Sequence, residues 1–324
     1  MNKYDQSVQL VFKLSENDMM DNKCPFFIHP HLPNVIYINV KTNDSKIYTY
    51  ISVDDGKHFL TVGINPDNPD CKEDNCRIKF DLRCGTDSIR NYISEKYIAK
   101  FEGTLYKNNY ESHHTFISFT GGQYFQILNS KIEQISILNR GVIIFGSGCD
   151  NGEIGYSYDE GYKWNTYYIE CNKLIKIIPI EFQDNPVISA INFNEHENTY
   201  TVYLFNFQAL ISNIFLMKAR TCNNDDFQTF FFMRHFGTCF QGQQISFLKK
   251  KQSAVCVDKR NLVMLIVKPC PCSIEDFHWY HILNNSKPRY LYENNFCIFN
   301  PRYNFKKPGN ICRYGDIPLI NLNG

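Results

Sequence analysis

From about Asn34 to Met217 the chain alternates short apolar or β-patterned runs with breaks of Asn, Asp and Gly. The runs "NVIYINV", "KIYTYISV", "TFISF", "YFQILN", "RGVIIFG", "IGYSYD", "NTYYIE", "LIKIIPIEF", "PVISAINF" and "NTYTVYLFNF" have strand length and are rich in β-branched and aromatic residues. Helical periodicity is nearly absent there, so the region is predicted to be all-β. After Arg220 the alternation weakens and cysteines recur every 2 to 25 residues. A short helix is predicted over "SIEDFHWYHI", with Ser273 as N-cap and Asp276 at the third helical position. The pattern divides the chain into residues 1–220 and a small disulfide-rich α+β module, 221–324, held by crosslinks more than by a core.

The polar breaks carry a repeat. "SVDDGKHF", Ser52 to Phe59, and "SYDEGYKW", Ser157 to Trp164, share one skeleton of Ser, Asp, Gly and a closing aromatic. Ser and Asp side chains can bond the backbone of their own turn, and Gly supplies a φ that other residues resist. Ser52, Asp54, Gly56 and Phe59, like Ser157, Asp159, Gly161 and Trp164, therefore read as self-satisfied hairpin tips, the turn known as an Asp box. A degenerate copy, "SFTGGQYF", keeps Ser118, Gly122 and Phe125 but has Thr120 where Asp is expected. Starts at 52, 118 and 157 are 66 and 39 residues apart, the shorter close to one propeller blade of roughly 40 to 50 residues. The expectation is a partial β-propeller of about four blades, three stapled by one such turn each and the strands after Trp164 counted as the last. An incomplete ring would leave strand edges open to association.

At 324 residues the chain is long enough for about two domains of roughly 150 residues. Lys and Arg number 34 against 33 Asp and Glu, so no net field draws nucleic acid or an anionic membrane. The basic run Lys249–Lys251 reads as a solvated face. No stretch reaches the roughly 18 apolar residues that span a bilayer, and the N-terminus has no secretory leader. The cysteines change that picture: of 13, seven fall in the last third, a disulfide framework in an oxidising compartment. The sequons at Asn43 and Asn284 fit glycosylation in the same compartment. A secretory chain without a leader is expected to begin partway through a longer protein.

Asp-box hairpins followed by a cysteine-rich module resemble sortilin and its relatives, the vacuolar-protein-sorting-ten receptors. The resemblance rests on "TYISVDDGKHF", "PDNPDCKEDNCRIKF", "FISFTGGQYFQIL", "GYSYDEGYKWNTY", "RTCNNDDF", "QSAVCVDKRN", "KPCPCSIEDFHW" and "ENNFCIFNP", in family order from about His31 to Gly315. "CPCSIEDF" is the most specific of them. The resemblance implies the last blades of a ten-bladed propeller and most of a ten-cysteine module. It also implies a non-enzymatic receptor that carries peptide or protein cargo, such as propeptides and neuropeptides, between Golgi, endosome and cell surface. Anchoring by a transmembrane segment outside this chain, and homodimerisation, belong to the same expectation. No ligand residue carries over, because the family's best-known peptide pocket lies on blades this chain lacks. A secreted decoy paralogue is the alternative within the binding class.

The same resemblance pairs Cys71 with Cys76, Cys222 with Cys256 and Cys239 with Cys270. A loop such as Cys222 to Cys256 is worth roughly 3 to 4 kcal/mol in the chain-entropy picture. This chain departs from the family at Trp279, which stands where a cysteine is expected and deprives Cys297 of its partner. Cys272 and Cys312 lack family partners within the chain and are guessed to pair with each other. Cys149 and Cys171, flanking the last Asp box, are guessed to bridge strands, and Cys24 and Cys84 stay unassigned.

Catalytic and metal chemistry read weakly. Asp boxes also occur in sialidases, whose chemistry needs an arginine cluster, a Tyr nucleophile and acidic partners. The spacing of Arg77, Arg83, Arg90 and Arg140 suggests no such cluster. Cys270, Cys272, His278 and His281 fall within twelve residues, but Cys-x-Cys is unusual for zinc and Cys270 has a well-matched disulfide partner. His29, His31, His113 and His114 read as loop histidines, Asp54 and Asp159 as turn-closing groups rather than catalytic carboxylates, and Trp164 as a buried box aromatic. No metal, cofactor or catalytic residue is expected.

Overall fold

In a computed structural model the described residues are 23–32, 34–56, 58–66, 68, 71, 75–83, 92–108, 110–128, 132, 134–148, 152–169, 174–182, 185–207, 221–234, 237–240, 243–254, 256–260, 262–270, 290–293, 296–299 and 322–323. Their regular structure is almost entirely β-strand, with two single-turn 3₁₀ segments at Asn139–Gly141 and Asn224–Asp226. The helix expected over 273–282 lies outside the described residues. The chain divides into two compact units, Met1–Ser118 with Gly122–Ser130, and Phe119–Gly121 with Lys131–Gly324.

The first unit holds two sheets. Strands β1 (Phe26–Ile28), β2 (Ile36–Lys41), β3 (Ile47–Ser52) and β4 (Leu60–Thr61) follow one another as an antiparallel meander. The second sheet is built from β5 (Gly63–Ile64), β6 (Cys76–Phe80), β7 (Ile93–Glu95), β8 (Ile98–Lys107), β9 (Tyr110–Ser118) and β10 (Tyr124–Ile127). Its order is β5-β10-β9-β8-β6, with β7 paired to β8 and β5 parallel to β10. The ring of Phe27 from β1 sits edge-on to Phe101 of β8 at 5.7 Å, and Tyr37 of β2 meets Phe101 at 5.2 Å. Phe80 stacks on Phe101 at 4.6 Å, and Phe125 closes against Phe80 at 4.9 Å. Offset and edge-on aromatic pairs add roughly 0.5–1.5 kcal/mol each beyond their burial, so this core is held by ring geometry as well as by area.

The second unit begins with a further antiparallel meander, β11 (Gln134–Leu138), β12 (Ile143–Ser147), β13 (Glu153–Ser157) and β14 (Asn165–Tyr168). Next come β15 (Leu174–Phe182), β16 (Asn185–Asn194) and β17 (Thr199–Asn206), a three-stranded sheet with a register shift at Leu174/Lys176. Ile188 and Ala190 of β16 are buried with Ile143, Phe145 and Ile154, joining the two sheets in one core. The opposite face of β17 stays uncovered: Tyr200, Val202 and Leu204 are 69%, 59% and 67% exposed, and Ile178 and Ile180 of β15, on the far side of β16, are exposed as well.

Beyond Arg220 the strand content continues rather than giving way. β18 (Phe227–Phe231), β19 (Cys239–Phe240), β20 (Gln243–Lys250) and β21 (Leu265–Pro269) form one sheet around β20. A last small sheet joins β22 (Tyr290–Glu293), β23 (Phe296–Phe299) and β24 (Leu322–Asn323).

Candidate functional site

In each of the three meanders the Asp-box motif joins the third strand of an antiparallel run to the fourth: β3 to β4, β9 to β10 and β13 to β14. The two complete copies make the same bonds. Ser52 Oγ donates to Asp54 Oδ1 at 2.8 Å and accepts from Gly56 N at 2.8 Å, while Asp54 Oδ1 accepts from His58 N at 2.9 Å. Ser157 Oγ donates to Asp159 Oδ1 at 2.8 Å and accepts from Gly161 N at 2.9 Å, and Asp159 Oδ1 accepts from Lys163 N at 2.9 Å. Left-handed backbone falls at the same two places in each, Asp55 (φ 61) with Gly56 (φ 80), and Glu160 (φ 63) with Gly161 (φ 91). The degenerate copy keeps the Ser118 Oγ bond from Gly122 N at 3.0 Å and the left-handed pair, at Gly121 (φ 68) and Gly122 (φ 87). A Cβ on Gly122 would lie 1.7 Å from the Tyr37 hydroxyl, so this position needs glycine for space as well as for φ.

The closing aromatics differ. Phe125 is fully buried, whereas Phe59 and Trp164 are half-buried, Trp164 donating its Nε1–H to Gly161 O at 3.0 Å. Asp54 and Asp159 are consumed by these turns, and Asp54 also meets His58 Nδ1 at 2.6 Å.

Around the third box, polar groups hold the segment that follows Arg220. Glu160 pairs with Lys249 Nζ at 2.9 Å, and Gln252 Nε2 donates to Asp159 O at 3.1 Å. A second turn of the same sheet, Asn139 (φ 46) and Arg140 (φ 54), works beside it. Asn139 Oδ1 accepts from Asp258 N at 3.0 Å and its Nδ2 donates to Cys256 O at 3.4 Å, while Arg140 Nε donates to Arg260 O at 2.7 Å. Within the held segment Arg260 grips Asp258 with a closest approach of 2.6 Å. Lys250 is buried and donates Nζ to Ala254 O and Lys251 O. Burial pushes its ammonium down to about 8.

The cysteines sit in this frame. Cys71 is bridged to Cys76, Cys222 to Cys256 and Cys239 to Cys270, the last two interleaved along the chain. Cys222 N donates to Val257 O at 3.0 Å, and Asn223 caps the 3₁₀ turn reciprocally with Asp226. Cys24, unassigned from sequence, is disulfide-bonded. Cys84, Cys149, Cys171, Cys272 and Cys312 lie outside the described residues, as do Asn284, Trp279, His278 and His281. Cys297 lies on β23 opposite Tyr292 and Leu322. Asn43 is exposed in the β2–β3 turn.

The remaining candidates are engaged locally. Arg83 faces Glu102 at 3.9 Å, Arg77 lies on β6 opposite Tyr106, and Arg90 lies outside the described residues. His113 meets Asp81 at 3.1 Å and His114 meets Ser112 at 2.7 Å. Cys222, Asp226 and Cys256 come within 4.8 Å of one another, but both sulfurs are spent in a disulfide and offer no thiolate.

Residues 183–316, which include the segment held by the third box, match the model described as sortilin, neurotensin receptor 3, C-terminal. Over these residues the chain is similar to the sortilin family. A 134-residue stretch is 24% identical to the vacuolar protein sorting/targeting protein 10 of Eremothecium gossypii, covering 40% of this chain. The match spans less than a tenth, 8%, of that relative. Among solved structures, the tricorn protease is similar over 76% of this chain and 26% of its own, with a TM-score of 0.20 and 10% identity. A functionally unknown protein from Desulfotomaculum acetoxidans DSM 771 is similar over 80% and 90%, with a TM-score of 0.21 and 10% identity. Neither structural likeness carries an argument.

Proposed function

We propose that the chain is part of the luminal or extracellular region of a sortilin-type sorting receptor, a non-enzymatic binder of peptide or protein cargo in Golgi–endosome traffic. In this reading the Asp-box meanders are blades of a propeller. The segment from Cys222 onward is the start of the ten-cysteine module, docked on the β11–β14 blade. The observation that carries it is the coincidence of the family match over 183–316 with the interleaved bridges Cys222–Cys256 and Cys239–Cys270. The Asn139–Arg140 and Asp159–Glu160 turns supply the seat on which the bridged segment rests. No described helix is long and apolar enough to cross a membrane.

The test is to express the chain behind a secretory leader and measure binding to immobilised secretory propeptides before and after reduction. Saturable binding that is lost with the two interleaved bridges is expected. Absence of binding by the oxidised protein, or turnover of a fluorogenic sialoside, would overturn the reading.

A further inference from the structure

His29 follows β1 and lies 97% buried, 3% exposed, in the loop 29–35. Its Nδ1 accepts two backbone N–H groups, from Leu32 at 3.0 Å and His31 at 3.2 Å. A nitrogen that accepts has no proton, so the ring is the neutral tautomer with its hydrogen on Nε2. That Nε2 is buried without a partner. The loop is closed at its other end by His29 N to Val35 O at 3.0 Å, and it holds the first Asp box through Asp55 N to Asn34 O at 3.2 Å. Leu32 and Val35 are fully buried beneath it.

The charged and titratable groups around the ring do not favour a second proton. The His31 ring lies 6.3 Å away, and Lys96 acts on His31 in turn. In the first Asp box, which meets the loop through Asp55 N, the Asp54 carboxylate is engaged by Ser52 and His58. A proton on Nδ1 would point where two N–H groups already point, in a site whose burial disfavours the charge.

We propose that His29 is an acid-released latch: protonating Nδ1 withdraws the acceptor from the His31 and Leu32 amides and frees loop 29–35 together with its bond to the Asp box. The latch operates whatever the chain binds.

Desolvation, with His31 adding to it, holds the closed-state imidazole down to about 3, against 6.5 when released. A depressed pKa means the closed form keeps its full advantage above pH 6.5 and loses it progressively as pH falls from 6.5 toward 3. Between pH 7.5 and pH 5 the open fraction rises about 30-fold.

Hydrogen exchange of the amides in 29–35, corrected for intrinsic rates, reads this directly. The wild-type protein should lose about 30-fold in protection at His31 and Leu32 on going from pH 7.5 to 5. The amides of Gly161 and Lys163 in the third box should hold steady. His29→Asn offers an oxygen acceptor that does not titrate, and its protection should be the same at both pH values. Unchanged wild-type protection at pH 5, or equal loss in His29→Asn, overturns the proposal. Should the variant fail to fold, wild-type NMR titration of the His29 ring decides. A ring that protonates near pH 6.5 while the His31 and Leu32 amides stay protected sinks the latch, and loss of protection in step with ring protonation supports it.

Discussion

The two complete Asp boxes form the same internal bonds from Ser52 and from Ser157, yet serve different neighbours. In the first, the residue between Asp and Gly, Asp55, gives its amide to Asn34 of the loop beside β1. In the second, the equivalent Glu160 gives its carboxylate to Lys249, and Asp159 O receives Gln252. Ser, Asp and Gly fix the shape of the tip, while the variable positions decide what the tip holds. A repeat can thus keep its skeleton while each copy acquires its own partner.

The largest effects are expected at the glycines. Gly122→Ala forces a Cβ to 1.7 Å from the Tyr37 hydroxyl at φ 87, and should cost about 4 kcal/mol or more in urea unfolding. Gly56→Ala meets nothing closer than 3.6 Å and should cost about 1 kcal/mol, the backbone term alone. A similar cost for both would show that φ, not space, governs these tips.

Next in size is the buried lysine of the held segment. Lys250 titrates at about 8 when folded, below its ordinary 10.5, so the unfolded chain binds the extra proton between those values. Stability should therefore rise with pH from about 8 to 10.5, by up to roughly 2 kcal/mol, and Lys250→Met should flatten that rise. Denaturant melts at pH 8 and 10 under non-exchanging conditions measure it.

Smaller still, Glu160→Gln should cost about 1 kcal/mol by unpairing the largely buried Lys249, and should raise hydrogen exchange in β20. Finding β20 exchange unchanged in Glu160→Gln would remove the third box from the docking of the bridged segment.

Much of this was open to sequence reading. "LIKIIPIEF" coincides with β15, and "NTYTVYLFNF" brackets β17, because long runs rich in β-branched and aromatic residues have little alternative. β8, which pairs with β6, β7 and β9, is hard to read from sequence: Lys100, Glu102 and Lys107 dilute its apolar content, and the signal is alternation, with Phe101, Gly103 and Leu105 turned inward. The sheet β18–β21 was masked by cysteine spacing, which drew the eye from the Phe-rich β18. Asn139 and Arg140 could not be picked out, since their partners lie 117 to 120 residues on. The only local hint is "NRG" between two apolar runs, a place for left-handed backbone.

The uncovered face of β15–β17 has a practical consequence at the bench. Tyr200, Val202 and Leu204 offer a natively folded sample a greasy plane to which fluorescent dyes such as ANS will adhere. Dye-based melting scans of this chain should start bright, and that brightness would be a signature of the folded chain rather than of damage.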